Sequence, residues 1–147
     1  KPEACKRIKE VEKYIKKQGF EILEKKENDN WAQIARIIYR KFPPEAIESY
    51  IQGYEKHHFG NKFFLLVLRH KKGNTLQKLR QEQGSFITYQ TREENTLRAR
   101  FGLPSKYNIQ YENFTFVYCG THCPEKIEEL ESQLKLFLLP NRYKRNI

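Results

Sequence analysis

The sequence predicts an α/β (or α+β) domain: a small central sheet of about four strands with helices packed on it, preceded by an N-terminal helical region. Three observations predict it. Apolar residues recur at helical spacing over most of residues 1–58. The stretch "FFLLVLRH", Phe63 to His70, is apolar without alternation, the pattern of a strand buried on both faces. After residue 60, strand-like and helix-like stretches alternate, which argues for helices packed on a sheet.

The elements follow in order. Ala4, Ile8, Val11 and Ile15 predict a helix from Pro2 to about Gln18, with proline suited to its first turn and Gly19 to a left-handed close. "FEIL" is a short strand, Phe20 to Leu23. "NDN" offers capping residues for a second helix whose face holds Trp31, Ile34, Ala35, Ile38 and Phe42. Pro43 and Pro44 stop it. Pro44 then opens a third helix carrying Ile47, Tyr50, Ile51 and Tyr54 on one side, so the two form a tight pair.

Beyond the apolar strand, Asn74 with Gln77 resembles a capping box for a short helix ending near Gly84. "SFITYQ" has the β-branched and aromatic composition of a strand. In "TREENTLRARFGLP", Thr91 and Glu94 read as a second capping box, and Gly102 with Pro104 as the helix stop. "YNIQYENFTFVYCG" is one long strand or two joined near Glu112–Asn113. Within it Phe114, Phe116 and Tyr118 point one way and Thr115, Val117 and Cys119 the other. A last helix runs from about Pro124 to Leu139. No repeat, low-complexity segment or long linker divides the chain. It reads as a single domain, 1–147, with a mainly helical cap (1–58), an alternating strand and helix core (59–139) and a basic tail (140–147).

The net charge of +10 is unevenly spread. Residues 1–60 carry +3, residues 61–110 carry +7 and residues 111–147 are neutral. A one-signed stretch of that length recruits polyanions, of which nucleic acid is the commonest. Beside Lys62, its cations are Arg69, Lys71, Lys72, Lys78, Arg80, Arg92, Arg98, Arg100 and Lys106, and these nine with Tyr89, one of several tyrosines interleaved to stack on bases, stand out. These ten residues are the candidate nucleic-acid-binding set. A helix-turn-helix reading of the second and third helices is disfavoured, because Glu45, Glu48 and Glu55 would face phosphates; there, Arg36, Arg40 and Lys41 are the better contacts.

Other chemistry is thinly represented. Glu24 and Lys26 form an ExK pair of the kind some metal-dependent nucleases use, but no aspartate precedes it at a useful distance. No nucleophile elbow, phosphate-binding glycine loop or paired metal-ligand motif occurs. Three cysteines, an odd and low number, argue for a reducing compartment. In "CGTHCP", Cys119, His122 and Cys123 supply three metal donors without a well-spaced fourth. The strand followed by CxxxCP resembles the copper- and thiol-handling members of the thioredoxin superfamily over about ten residues. Only one helix and the tail follow, too little for the sheet that such a fold requires. Cys123 also stands where an N-cap would lower a thiol's pKa.

These observations predict a non-catalytic nucleic-acid-binding domain, DNA or RNA undecided, excised from a larger nucleic-acid-handling protein. Lys1 and the lack of any methionine suggest the excision. The expected setting is intracellular, with other chains of a complex as further partners, no cofactor, no metal and no membrane association. The alternatives are an interaction module for an acidic protein and a metal-dependent nuclease.

Overall fold

A computed structural model describes residues 1–138. It mixes helices and strands in an α+β arrangement. The chain opens with a 3₁₀ segment, Pro2–Arg7, that runs into helix α1, Ile8–Lys17. Gly19, at φ +89°, turns the chain into strand β1, Phe20–Asn28. Helices α2, Trp31–Ile38, and α3, Pro44–Lys56, follow as the expected pair, divided at Pro43. Strand β2 is Phe63–His70, helix α4 Thr75–Gln83 and helix α5 Leu97–Phe101. Strands β3, Ile109–Tyr111, and β4, Phe114–Phe116, meet at a tight turn where Glu112 has φ +48°. Helix α6 is Ile127–Leu138. Leu139 and the basic tail 140–147 lie outside the described residues.

The central sheet of about four strands is not what forms. Among the described residues there are two separate antiparallel pairs, β1–β2 and β3–β4. β1 extends well past the expected Leu23, because "EKKEN" continues the ladder along the apolar strand, from Phe20 opposite His70 to Asn28 opposite Phe63. The register slips between Ile22 and Glu24, leaving Leu23 as the extra residue of a bulge, 55% exposed. β2 is therefore paired on one edge, and most of its side chains are half-buried rather than buried.

"SFITYQ" is not a strand. The Ser85 hydroxyl accepts the N–H groups of Ile87 (3.0 Å) and Thr88 (3.3 Å), which folds this stretch into a turn. Local side-chain acceptors thus outcompete a ladder. Tyr89 to Thr91 form a 3₁₀ turn instead.

The main core lies between the α2–α3 pair and the β3–β4 hairpin and is rich in aromatics. Tyr50 stacks on Phe116 (5.2 Å) and Tyr118 (5.3 Å), and Tyr54 meets Tyr118 edge-on at 4.9 Å. Gly53 is required here: a Cβ at that position would overlap the Tyr118 hydroxyl, which donates to the Tyr50 carbonyl at 3.0 Å. A second cluster joins Val11, Tyr14 and Ile15 of α1 to Phe20, Leu97 and Phe101. The alternation after Phe114 holds: Phe116 and Tyr118 enter the main core, while Val117 and Cys119 pack with Tyr89 and Ala99 on the other side.

Candidate functional site

A cleft of about 820 Å³ opens between the C-terminal end of α2, the end of α4, α5, β4 and α6. That volume is in the range of small-molecule sites. Five cations line it: Lys1, Arg40, Lys41, Arg80 and Arg98, against Glu125 and Glu129. Its cationic excess is the feature that matters, because a recess with low-dielectric walls focuses the field of the charges around it.

The five cations reach the cleft from four parts of the chain. Arg40 and Lys41 are exposed just after α2, where the turn before Pro43 projects them, and the Lys41 ammonium lies 5.7 Å from the Phe42 ring. Arg80, in the last turn of α4, donates to the Glu125 carbonyl. Arg98, in α5, donates from Nη1 to the Gly84 carbonyl (3.0 Å), while its buried Nε finds no partner among the described residues. Lys1 is buried at the inner wall. Its ammonium donates to the Tyr50 hydroxyl (3.0 Å) and pairs with Glu3 (3.4 Å). Burial works against that charge, yet Cys119, Tyr39, Tyr50 and Glu3 hold the Lys1 pKa well above the ordinary lysine value. Burial would also raise the Glu3 carboxyl, but the Lys1 ammonium and the Gly120 N–H, 2.9 Å from Oε1, keep it below its usual range.

Aromatic and apolar side chains complete the walls. Tyr39, Phe42 and Phe116 line the cleft, with Phe86 and Ile37 exposed on it by 58% and 36%. His122 stands edge-on to Tyr39 at 6.2 Å, with Nε2 3.3 Å from the Gln133 carboxamide.

The two cysteines of "CGTHCP" also line this cleft, without the properties the sequence suggests. α6 begins at Ile127, so Cys123 caps nothing. Desolvation instead pushes its thiol up to about 11. Cys119 is buried and donates to the Thr121 carbonyl at 3.4 Å. Among the described residues no three His, Cys, Asp or Glu side chains gather to hold a metal. No protein-family model matches the chain, and no curated protein matches it either.

The structure separates the ten candidate residues into groups. Arg80 and Arg98 reach the cleft. Arg69, Lys71, Lys72 and Lys78 cluster at the end of β2 and the start of α4. There Arg69 is paired with Glu21 (2.7 Å), and Lys78 Nζ sits 3.1 Å from His70 Nδ1 and donates to the Lys72 carbonyl. Arg92 holds the protein together: at φ +61°, it donates to the carbonyls of Ala99 (2.6 Å) and Gly102 (3.0 Å). Arg100 donates to Asn95 and lies 5.1 Å over the Tyr14 ring. Lys106 covers Tyr107 at 5.2 Å. Tyr89 is wholly buried against Gly102, so its ring presents no face to a base. Lys1, Tyr39 and Phe86 are among the cleft residues that sequence reasoning missed. No local signal announces them, because their neighbours in the cleft come from distant parts of the chain.

Proposed function

We propose that the chain binds the phosphates of a nucleotide unit, either the end of a single-stranded nucleic acid or a free nucleotide, in the 820 Å³ cleft. The observation that carries this reading is the convergence of Arg40, Lys41, Arg80 and Arg98 on one recess with aromatic walls. Guanidinium groups suit phosphate because they offer a rigid fork of donors and stay charged. The cleft is too small for a duplex, which favours single strands over double-stranded DNA.

The test is fluorescence anisotropy with a labelled single-stranded oligonucleotide, a duplex of the same sequence and a labelled nucleoside triphosphate, across a salt series. Binding of the oligonucleotide or the nucleotide at low salt is expected, with affinity falling as salt rises because phosphate contacts release counterions. Absence of binding to all three would overturn the proposal. Arg80→Ala with Arg40→Ala should weaken binding by about 10-fold or more, at the strength of hydrogen bonds to charged groups. Lys71→Ala with Lys72→Ala should change it far less. The reverse ranking would move the site to the end of β2 and remove the cleft from consideration.

A further inference from the structure

The loop that follows α4 carries an unusual display. Phe86 and Ile87 are 58% and 75% exposed, side by side, on a segment whose every neighbour is pinned. Gly84 turns the chain at φ +77°, and its carbonyl is held by Arg98. The Ser85 hydroxyl binds the next turn, as described above. Glu94 closes it from outside: one carboxylate oxygen accepts the Thr88 hydroxyl at 2.6 Å, and the other accepts the Ser85 N–H at 3.4 Å and the Thr96 hydroxyl at 3.5 Å. A loose loop could fold its aromatic back onto the core. This one is held with its ring outward.

Phe86 also belongs to the cleft, where Ile37 and Phe42 are further apolar lining. The Arg98 guanidinium, a phosphate-facing group in the proposed site, is bonded only two residues away, at Gly84. Cation and exposed ring are thus fixed to the same short segment. That combination matches a ligand with an anionic end and a flat apolar end. A bare polyphosphate or an acidic peptide would leave the ring unused.

We infer that Phe86 is the base-stacking residue of the cleft: the nucleobase lies on its ring while the phosphates face Arg80 and Arg98. This rests on the phosphate-binding reading above. Base–aromatic stacking is sequence-tolerant, because every base has a π-face, so the site should favour nucleotides over bare phosphates without strong preference among bases.

The experiment compares adenosine triphosphate with inorganic tripolyphosphate, by calorimetry, on the wild-type chain, Phe86→Ala and Phe86→Trp. Because Phe86 is exposed, all three should share one melting temperature. Phe86→Ala should weaken the nucleotide about 10-fold and tripolyphosphate less than twofold, the selective loss expected of stacking. Phe86→Trp should restore nucleotide affinity. Its new indole should be quenched by the nucleotide but not by tripolyphosphate, against the buried signal of Trp31, the one native tryptophan. Equal loss of both ligands, or unchanged nucleotide affinity in Phe86→Ala, would overturn the stacking role while leaving the phosphate site standing. Failure of the wild-type chain to bind either ligand would overturn the stacking role, and failure to bind the labelled oligonucleotides as well would overturn the phosphate site with it.

Discussion

Arg92 looks in the sequence like one more cation of a basic surface. Its guanidinium is instead committed to the carbonyls of Ala99 and Gly102, across the turn that closes α5. Arg92→Ala should therefore lower stability by about 1–3 kcal/mol, since it strands two acceptors, and it should leave ligand affinity nearly unchanged in the folded protein. Thermal denaturation beside a binding isotherm checks both halves. Cys123 is a second case. With its pKa pushed up to about 11 rather than the ordinary 9.0, it carries about a hundredfold less thiolate near neutral pH. Alkylation at pH 8, followed by mass spectrometry, should find Cys123 much slower than a free cysteine; a faster rate would contradict the structure. Glu3 sets an acid limit. Its folded pKa is lowered from 4.5, so the unfolded chain binds that proton more readily. The carboxylate's contribution is complete above about pH 4.5 and is lost as pH falls through the lower folded value. Glu3→Gln should flatten that part of the stability–pH curve.

Helix starts show why local grammar is incomplete. Asn30 occupies the N-cap of α2, as the sequence suggests, but its side chain donates to Gln33 instead of accepting a backbone N–H. The cap comes from Asn61. Its carbonyl accepts the Trp31 N–H (3.0 Å) and its side chain accepts the Ala32 N–H (3.1 Å). Asn61→Ala should cost about 1 kcal/mol, visible as a lowered melting temperature, whereas Asn30→Ala should cost little. The helix after residue 91 repeats the lesson. Thr96, not Thr91, caps α5, and Glu94 serves the Phe86 loop. Both starts carry residue types that suit a helix cap. What the sequence does not carry is which of several nearby acceptors finds an orphan N–H first. Element existence was more legible than capping: the α2–α3 pair, β2, α4 and the β3–β4 hairpin all stand where periodicity and turn residues predict them.

At the scale of the whole molecule, the cations of residues 61–110 sit in several different local settings. Two of the ten, Arg80 and Arg98, line a cleft completed by Lys1, Arg40 and Lys41 while also donating to carbonyls, and others bind carbonyls, a carboxylate or an aromatic ring elsewhere. Under the proposed reading, the cleft and not the net charge sets the number of phosphate contacts. With about four cations engaged, the log–log dependence of single-strand affinity on salt should have a slope of about −3. A slope twice as steep would show that the β2–α4 cluster also takes part.

The sequence by itself determined the mix of helix and strand, the breaks at Gly19, Pro43 and Gly84, and the two-sided alternation from Phe114 to Cys119. These are properties of backbone dihedrals and of residue period, and both are local. Tertiary structure alone decided that β1 runs to Asn28 along β2, that "SFITYQ" turns instead of pairing, and which arginines line the cleft. Such outcomes depend on competition between near and distant groups for the same hydrogen bonds, and composition and spacing cannot rank the competitors.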